Sequence, residues 1–287
     1  MRKYKILLFA LLSSPFFVLS QERTKDSIVD KPERPAFESS ILIDNQTNVL
    51  FDKNTLEVMM AHRFGLVNGG TNDLAGFWAP SNIRIALSYA VHDRLTIGFG
   101  TTKFDRLQDF NWKAGILRQT RSDKIPVSVS YYGNFVIDAR KKGNNLFPTE
   151  QSRYSYFNQL IIARRFSPKL SLQIAPSVSH YNLVDNRMPN DVVALSAGGR
   201  YKISDGTSLM LDYSHPFTHH LNDVKFENDP EPGFSLGVEF STSGHAFQLF
   251  ITNLNGIVPQ RNYMKNTNDF FYGDFLFGFN ITRNYNF

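Results

Sequence analysis

From Thr55 onward, apolar residues recur at every second position in stretch after stretch of the chain. Examples are Leu56, Val58 and Met60; Ile83, Ile85, Leu87 and Tyr89; Leu209, Leu211 and Tyr213; Phe234, Leu236, Val238 and Phe240; and Phe275, Phe277, Phe279 and Ile281. Successive strand residues face opposite sides, so each stretch predicts a strand with one oily and one wet face. About twelve such stretches, each of the length a tilted membrane strand needs, fit between Thr55 and Phe287. A soluble sandwich would also alternate, and the connections separate the two readings. Turn residues fill Val91 to Arg94, Ser122 to Lys124, Phe166 to Lys169, Ser204 to Thr207 and Ser241 to Gly244. Between them fall longer polar connections: Gly65 to Pro80, Thr102 to Gln108, Asp138 to Gln151, Asp185 to Asn190, Pro216 to Pro232 and Asn253 to Phe271. This predicts an all-β fold, an antiparallel transmembrane up-and-down β-barrel of about 12 strands with short periplasmic turns and longer outer loops. Lys141 and Asn266 then belong to outer loops, and the lumen-side Gly237 should accept serine.

The first 54 residues read differently. Residues 1–20 have a basic start, apolar runs at Ile6 to Leu12 and Phe16 to Leu19, and small-residue cleavage spacing before Gln21, which predicts a signal peptide. Ser13, Ser14 and Pro15 interrupt the run well short of the roughly 20 apolar residues of a spanning helix. Residues 21–54 read as a flexible periplasmic lead-in, with Ile41 to Phe51 of a length for a short hairpin or plug. Three of the basic residues behind the formal charge of +5, Arg2, Lys3 and Lys5, sit in the leader, so the remainder is close to neutral. No basic stripe interleaved with aromatics points to nucleic acid. With no cysteine, the chain has neither a lipoprotein acylation site nor a disulfide.

Charged residues gather on the wet parity: Glu57, Arg63, Arg84, Lys113, Asp138, Arg165, Arg200, Asp212, Glu239 and Asp274. In a barrel these line the lumen. They could act as a charged eyelet that selects a small solute, but the balanced signs favour acids and bases pairing with one another across a narrow, hydrated and closed interior. His215, His219 and His220, with Asp212 and Asp223 near, have the chemistry of zinc or copper ligands. Pro216 and the lack of a second cluster leave them a weak metal candidate, and no cofactor is expected. His62, His180 and His245 fall on the oily parity near strand ends, where interfacial residues belong. Pairing His62 with Ser81 would make an interfacial lipid hydrolase, but no third orienting residue is apparent. A soluble or periplasm-facing barrel that binds an apolar ligand inside remains an alternative.

The oily parity of the last stretch passes through Phe279, Ile281 and Tyr285 to Phe287. This resembles the C-terminal signal that the barrel-assembly machinery reads in bacterial outer-membrane barrels, and it implies that machinery and outer-membrane lipid as partners. The blocks Ala61-His62-Arg63-Phe64-Gly65, Asn68-Gly69-Gly70, Tyr89 through Gly98, Leu160 through Ser167, Gly198 through Lys202 and Gly244 through Leu249 resemble an uncharacterised family of Bacteroidetes proteins. It is catalogued as domain of unknown function 5777 and regarded as outer-membrane-like β-barrels. The resemblance covers roughly residues 35–287 and implies the fold and the bacterial outer membrane, with no activity attached.

Overall fold

The computed structural model describes residues 30–141, 146–185, 188–220 and 229–287; the leader reading at 1–20 lies outside them. Two short strands come first, β1 (Ile41–Leu42) and β2 (Asn45–Gln46), paired as a hairpin. Twelve longer ones follow: β3 (Thr55–Leu66), β4 (Asn82–His92), β5 (Leu95–Thr102), β6 (Leu107–Leu117), β7 (Ser128–Asp138) and β8 (Tyr154–Arg165), then β9 (Leu170–Tyr181), β10 (Asp191–Ser204), β11 (Thr207–Pro216), β12 (Gly233–Ser241), β13 (His245–Thr252) and β14 (Leu276–Asn286). Each pairs antiparallel with its sequence neighbours. β14 returns to β3, with Phe279 opposite His62, and closes the barrel. Closure leaves no sheet edge, so every strand's backbone groups are satisfied without water.

Burial follows the alternation. On β9, Ser171, Gln173, Ala175, Ser177 and Ser179 are buried, while Leu172, Ile174 and Val178 are 43%, 50% and 41% exposed. Small and polar residues face in and aliphatic ones face out, the reverse of a water-soluble barrel and the arrangement that lipid requires. Trp112 lies on the outward face with its indole against Gly133, where any Cβ would collide with the ring. Gly237 is equally constrained. A Cβ there would come within 2.7 Å of the Phe250 Cβ and 2.6 Å of the Leu249 carbonyl oxygen, so the expected tolerance of serine at this site is corrected.

One barrel end carries the tight turns, at 93–94, 166–169, 205–206 and 242–244; the other carries the long loops. Two connections depart from that pattern. At the loop end, 103–106 is short. At the turn end, the Ser122 to Lys124 turn sits inside a longer connection, 118–127, where Asp123 adopts φ 62°. That length has a structural reason. The connection pairs with the incoming N-terminal segment, through Glu33 N–H to Gln119 O at 2.8 Å and Arg121 N–H to Lys31 O at 3.0 Å. The 21–54 lead-in is accordingly an ordered strap wherever it is described. From Ala36 to Val49 it runs inside the barrel, and Asp52 to Asn54 return to the exposed turn end.

Candidate functional site: the occupied lumen

The β1–β2 hairpin stands in the lumen with its backbone bonded to wall side chains. Ile43 at its tip is fully buried and has φ 52°, a left-handed conformation that costs a β-branched residue energy and persists only where surroundings over-determine it. Those surroundings are side chains of four strands. Gln248 accepts from Ile43 N–H at 3.3 Å and donates to Ile41 O at 2.8 Å. Asn280 and Arg63 both donate to Ile43 O, at 2.8 and 3.2 Å. Asp212 accepts from the backbone N–H groups of Asp44 and Asn45, each at 3.1 Å, and from Asn45 Nδ2 at 2.9 Å.

Asp44 is the keystone of this contact. Its Oδ1 takes the Arg63 guanidinium at 2.8 Å, and its Oδ2 accepts from the Ser235 and Thr252 hydroxyls at 2.7 and 2.9 Å. Both ion-pair partners are almost wholly excluded from solvent. The Arg63 plane also rests 4.4 Å from the Phe250 ring centroid. Such a pair holds its geometry well, and removing one member leaves an uncompensated buried charge.

A second segment enters from the loop end. The connection 253–275 forms α1 (Pro259–Lys265), whose Gln260, Asn262, Tyr263 and Met264 are buried. Proline at N1 suits a helix start, where no N–H partner is needed. Tyr263 stacks on Phe157, with centroids 5.6 Å apart, and donates its hydroxyl to Asn45 Oδ1 at 2.5 Å. Gln260 donates to Asn134 Oδ1 at 2.7 Å. Loop helix and N-terminal hairpin therefore meet inside the barrel. Asn266, expected as an exposed loop residue, is instead buried; its Nδ2 donates to Glu231 O at 3.1 Å.

Along β4 to β7 the wall is looser. Arg84 and Asp109 form a two-pronged pair at 2.9 and 2.7 Å, independent of the hairpin. Lys113 donates to Ser40 O at 3.0 Å, and the Ser40 hydroxyl donates to Glu57 at 2.7 Å. Between hairpin and wall lies a cavity of about 20 Å³ lined by Glu57, Arg84, Ser88, Asn111, Lys113 and Tyr132. It is large enough for a water molecule and polar enough to hold one.

Seven of the expected lumen residues, Glu57, Arg63, Arg84, Lys113, Arg200, Asp212 and Glu239, are buried on the inward face. Asp138 and Arg165 share that parity but sit at opposite mouths. Asp138 binds Arg140 at 2.6 Å and thereby holds its guanidinium pKa above the usual arginine value, while Arg165 reaches Glu33 at 3.6 Å. Asp274 does not line the lumen. It precedes β14, in the loop, and accepts from Asn68 Nδ2 at 2.6 Å. The expected mutual pairing is corrected as well: within the ten, only Arg200 and Glu239 come within ion-pair distance of each other, at 3.8 Å, and Lys113 and Glu57 are joined through Ser40. The real partners are Asp44 and Glu38 on the strap and Asp109 on β6. Asp109 was legible, since it shares Lys113's parity; Asp44 carried no periodic signal.

The other candidates separate. His215 faces outward beside Tyr213, at 3.2 Å, and His220 binds Asp229 at 2.7 Å, so the loop histidines do not converge; Asp223 lies outside the described residues. Among the described residues, no group of three or more His, Cys, Asp or Glu side chains could hold a metal ion. His62 stacks on Phe279 at 5.1 Å and forms no hydrogen bond with Ser81, whose carbonyl accepts from Lys103. At the C-terminus, Phe279, Ile281 and Tyr285 face outward on β14. Phe287 lies one residue past the strand, mostly exposed, with its N–H 3.3 Å from Asn54 O.

A closed twelve-stranded barrel, apolar outside, polar inside and filled by its own chain, defines a membrane barrel. The chain belongs to the family described as Membrane bound beta barrel domain (DUF5777), which matches residues 37–285. No curated protein matches this sequence. Among solved structures it is similar to an outer membrane channel from Pseudomonas putida F1, at 12% identity and TM-score 0.51, covering 83% of this chain and 97% of that one. It is also similar to the NanC porin, at 9% identity and TM-score 0.49 over 79% and 97%. A third is the Escherichia coli outer membrane phospholipase A active-site mutant, at 11% identity and TM-score 0.43 over 82% and 91%.

Proposed function

We propose that this membrane barrel is an outer-membrane channel held shut by its own N-terminal strap, exported by the leader at 1–20 and inserted by the barrel-assembly machinery. The observation that carries the reading is the character of the wall behind the hairpin. Ser235, Gln248, Thr252, Asn280, Asp212 and Arg63 bind the strap through hydrogen bonds that water can replace. Displacing the strap, and with it the α1 segment whose Tyr263 bonds Asn45, would leave a hydrated polar passage suited to a small polar solute.

Planar-bilayer recording tests this. Purified full-length protein should be electrically silent, and a variant lacking residues 31–51 should give steady current steps. Since that deletion orphans Arg63, a milder pair that keeps the Asp44 carboxylate, Asn45→Ala with Tyr263→Phe, should raise the frequency of brief openings. Steady conductance in the wild type would overturn the closed state. Silence in both variants, with heat-modifiable gel migration showing folded barrels, would overturn the channel and leave a structural or binding barrel.

A further inference from the structure

The turn end of the barrel carries exposed cations beside an apolar band. At the turn end, several acids are engaged: Asp123 binds Arg164 at 2.6 Å, Glu33 binds Arg165, and Glu38 binds Arg200 at 2.9 Å, while Asp52, Asp93 and Asp205 are exposed and form no ion pair among the described residues. Arg94, Arg121, Lys124 and Lys169 on the same rim are exposed and form no ion pair among the described residues. Just inside this rim, on the outward face, Leu117, Phe166 and Ile203 are 44%, 56% and 54% exposed, and Arg164 lies over the Phe166 ring at 5.3 Å. At the loop end, no lysine or arginine occupies an outward strand position among the described residues, where the histidines are His62, His215 and His180, the last paired with Asp191; Lys103, Arg106 and Lys141 are exposed in its connections.

Cations stacked directly beyond an apolar and aromatic band meet the two parts of a lipid in order, acyl chain and then phosphate. The lip that carries them is braced rather than loose. Thr120 N–H bonds Ile125 O at 3.0 Å, and Arg121 N–H bonds the strap at Lys31 O. Fixed cations bind anionic headgroups without first losing chain entropy.

We infer that the turn-end rim formed by Arg94, Arg121, Lys124 and Lys169 binds the phosphates of anionic glycerophospholipids in the leaflet it borders. The occupant is a lipid headgroup and not an acidic soluble protein, because the cations adjoin exposed apolar side chains that only a lipid would cover.

Trp112 provides the probe, since it faces outward on β6 above this rim. The only other tryptophan, Trp78, is removed by Trp78→Phe. The barrel is reconstituted in phosphatidylcholine containing either brominated phosphatidylglycerol or brominated phosphatidylcholine. Phosphatidylglycerol should quench Trp112 preferentially. Arg121→Gln/Lys124→Gln/Lys169→Gln should cut that preference by roughly fivefold or more, on the scale of one basic residue's attraction to an anionic surface, and 0.5 M salt should weaken it in the wild type. Exposed glutamines should leave heat-modifiable migration unchanged, which verifies the fold. Equal quenching by the two lipids in the wild type, or an undiminished preference in the triple variant, would overturn the inference. So would rim-dependent capture of an acidic soluble polymer without lipid preference.

Discussion

The two walls of the lumen hold the N-terminal strap in different ways. The wall from β11 through β14 to β3 grips the hairpin at its tip with an ion pair and a set of hydrogen bonds centred on Asp44. From β4 to β7 the wall satisfies its strongest charges internally, through Arg84 and Asp109, and holds the strap's interior segment by hydrogen bonds from Lys113 and Ser130 and by the packing of Ala86 on Ile41. A water-sized cavity occupies the gap. Charge on one wall therefore fixes the strap, and charge on the other merely closes the barrel's own account of buried groups. If the strap yields, it should part first from β4–β7, where fewer bonds hold it.

The largest difference should come from breaking each ion pair on one side. Asp44→Ala leaves Arg63 buried without its carboxylate and should cost about 3–5 kcal/mol, read as a lowered unfolding midpoint in urea by gel mobility, together with new conductance. Asp109→Leu should cost about as much through Arg84, but without current. Current from Asp109→Leu and none from Asp44→Ala would reverse the roles of the two walls.

A second test turns the pair inside the looser wall into an apolar one. Arg84→Met/Asp109→Leu removes both charges and should be neutral within about 1–2 kcal/mol of the wild type, because neither desolvated ion remains. A loss as large as that of the single change would mean that Arg84 also supports the strap.

The outer face offers a comparison with both walls. Leu236, 40% exposed and mid-strand on β12, should cost about 2–4 kcal/mol when replaced by arginine in a bilayer, whereas Leu236→Phe should be tolerated. Refolding titrations into lipid vesicles measure both. Gly237→Ser, one position along and facing in, should also destabilise, since its Cβ would meet Phe250.

The smallest effect on stability belongs to the ends. An epitope tag after exposed Lys141, in the loop following β7, should be labelled on intact cells, and one after Asp205, in a tight turn, only after permeabilisation. A tag after Asn266 should instead harm folding, because that residue is buried and hydrogen-bonded. Labelling at Asp205 alone would invert the barrel.

The sequence by itself determined the wall of this protein. Strand faces depend on a two-residue period, so Leu236, Phe240, Ile281 and their counterparts declared the lipid side, and their inward neighbours the lumen. The turn residues set the order of connections. The same parity placed Glu57, Arg63, Arg84, Lys113, Arg200, Asp212 and Glu239 inside, and it failed at Asp274, where the strand starts later than the alternation suggests. Tertiary structure decided what fills the space. Ile41 to Gln46 is too short and too mixed to show a period, and Pro259 to Lys265 lies in a loop whose length alone was readable. Which polar group meets which depends on distances between segments that only the closed barrel brings together, such as Asp44 to Arg63 and Tyr263 to Asn45. Local pattern carries no information about those contacts, because they exist only once the barrel has closed around the strap.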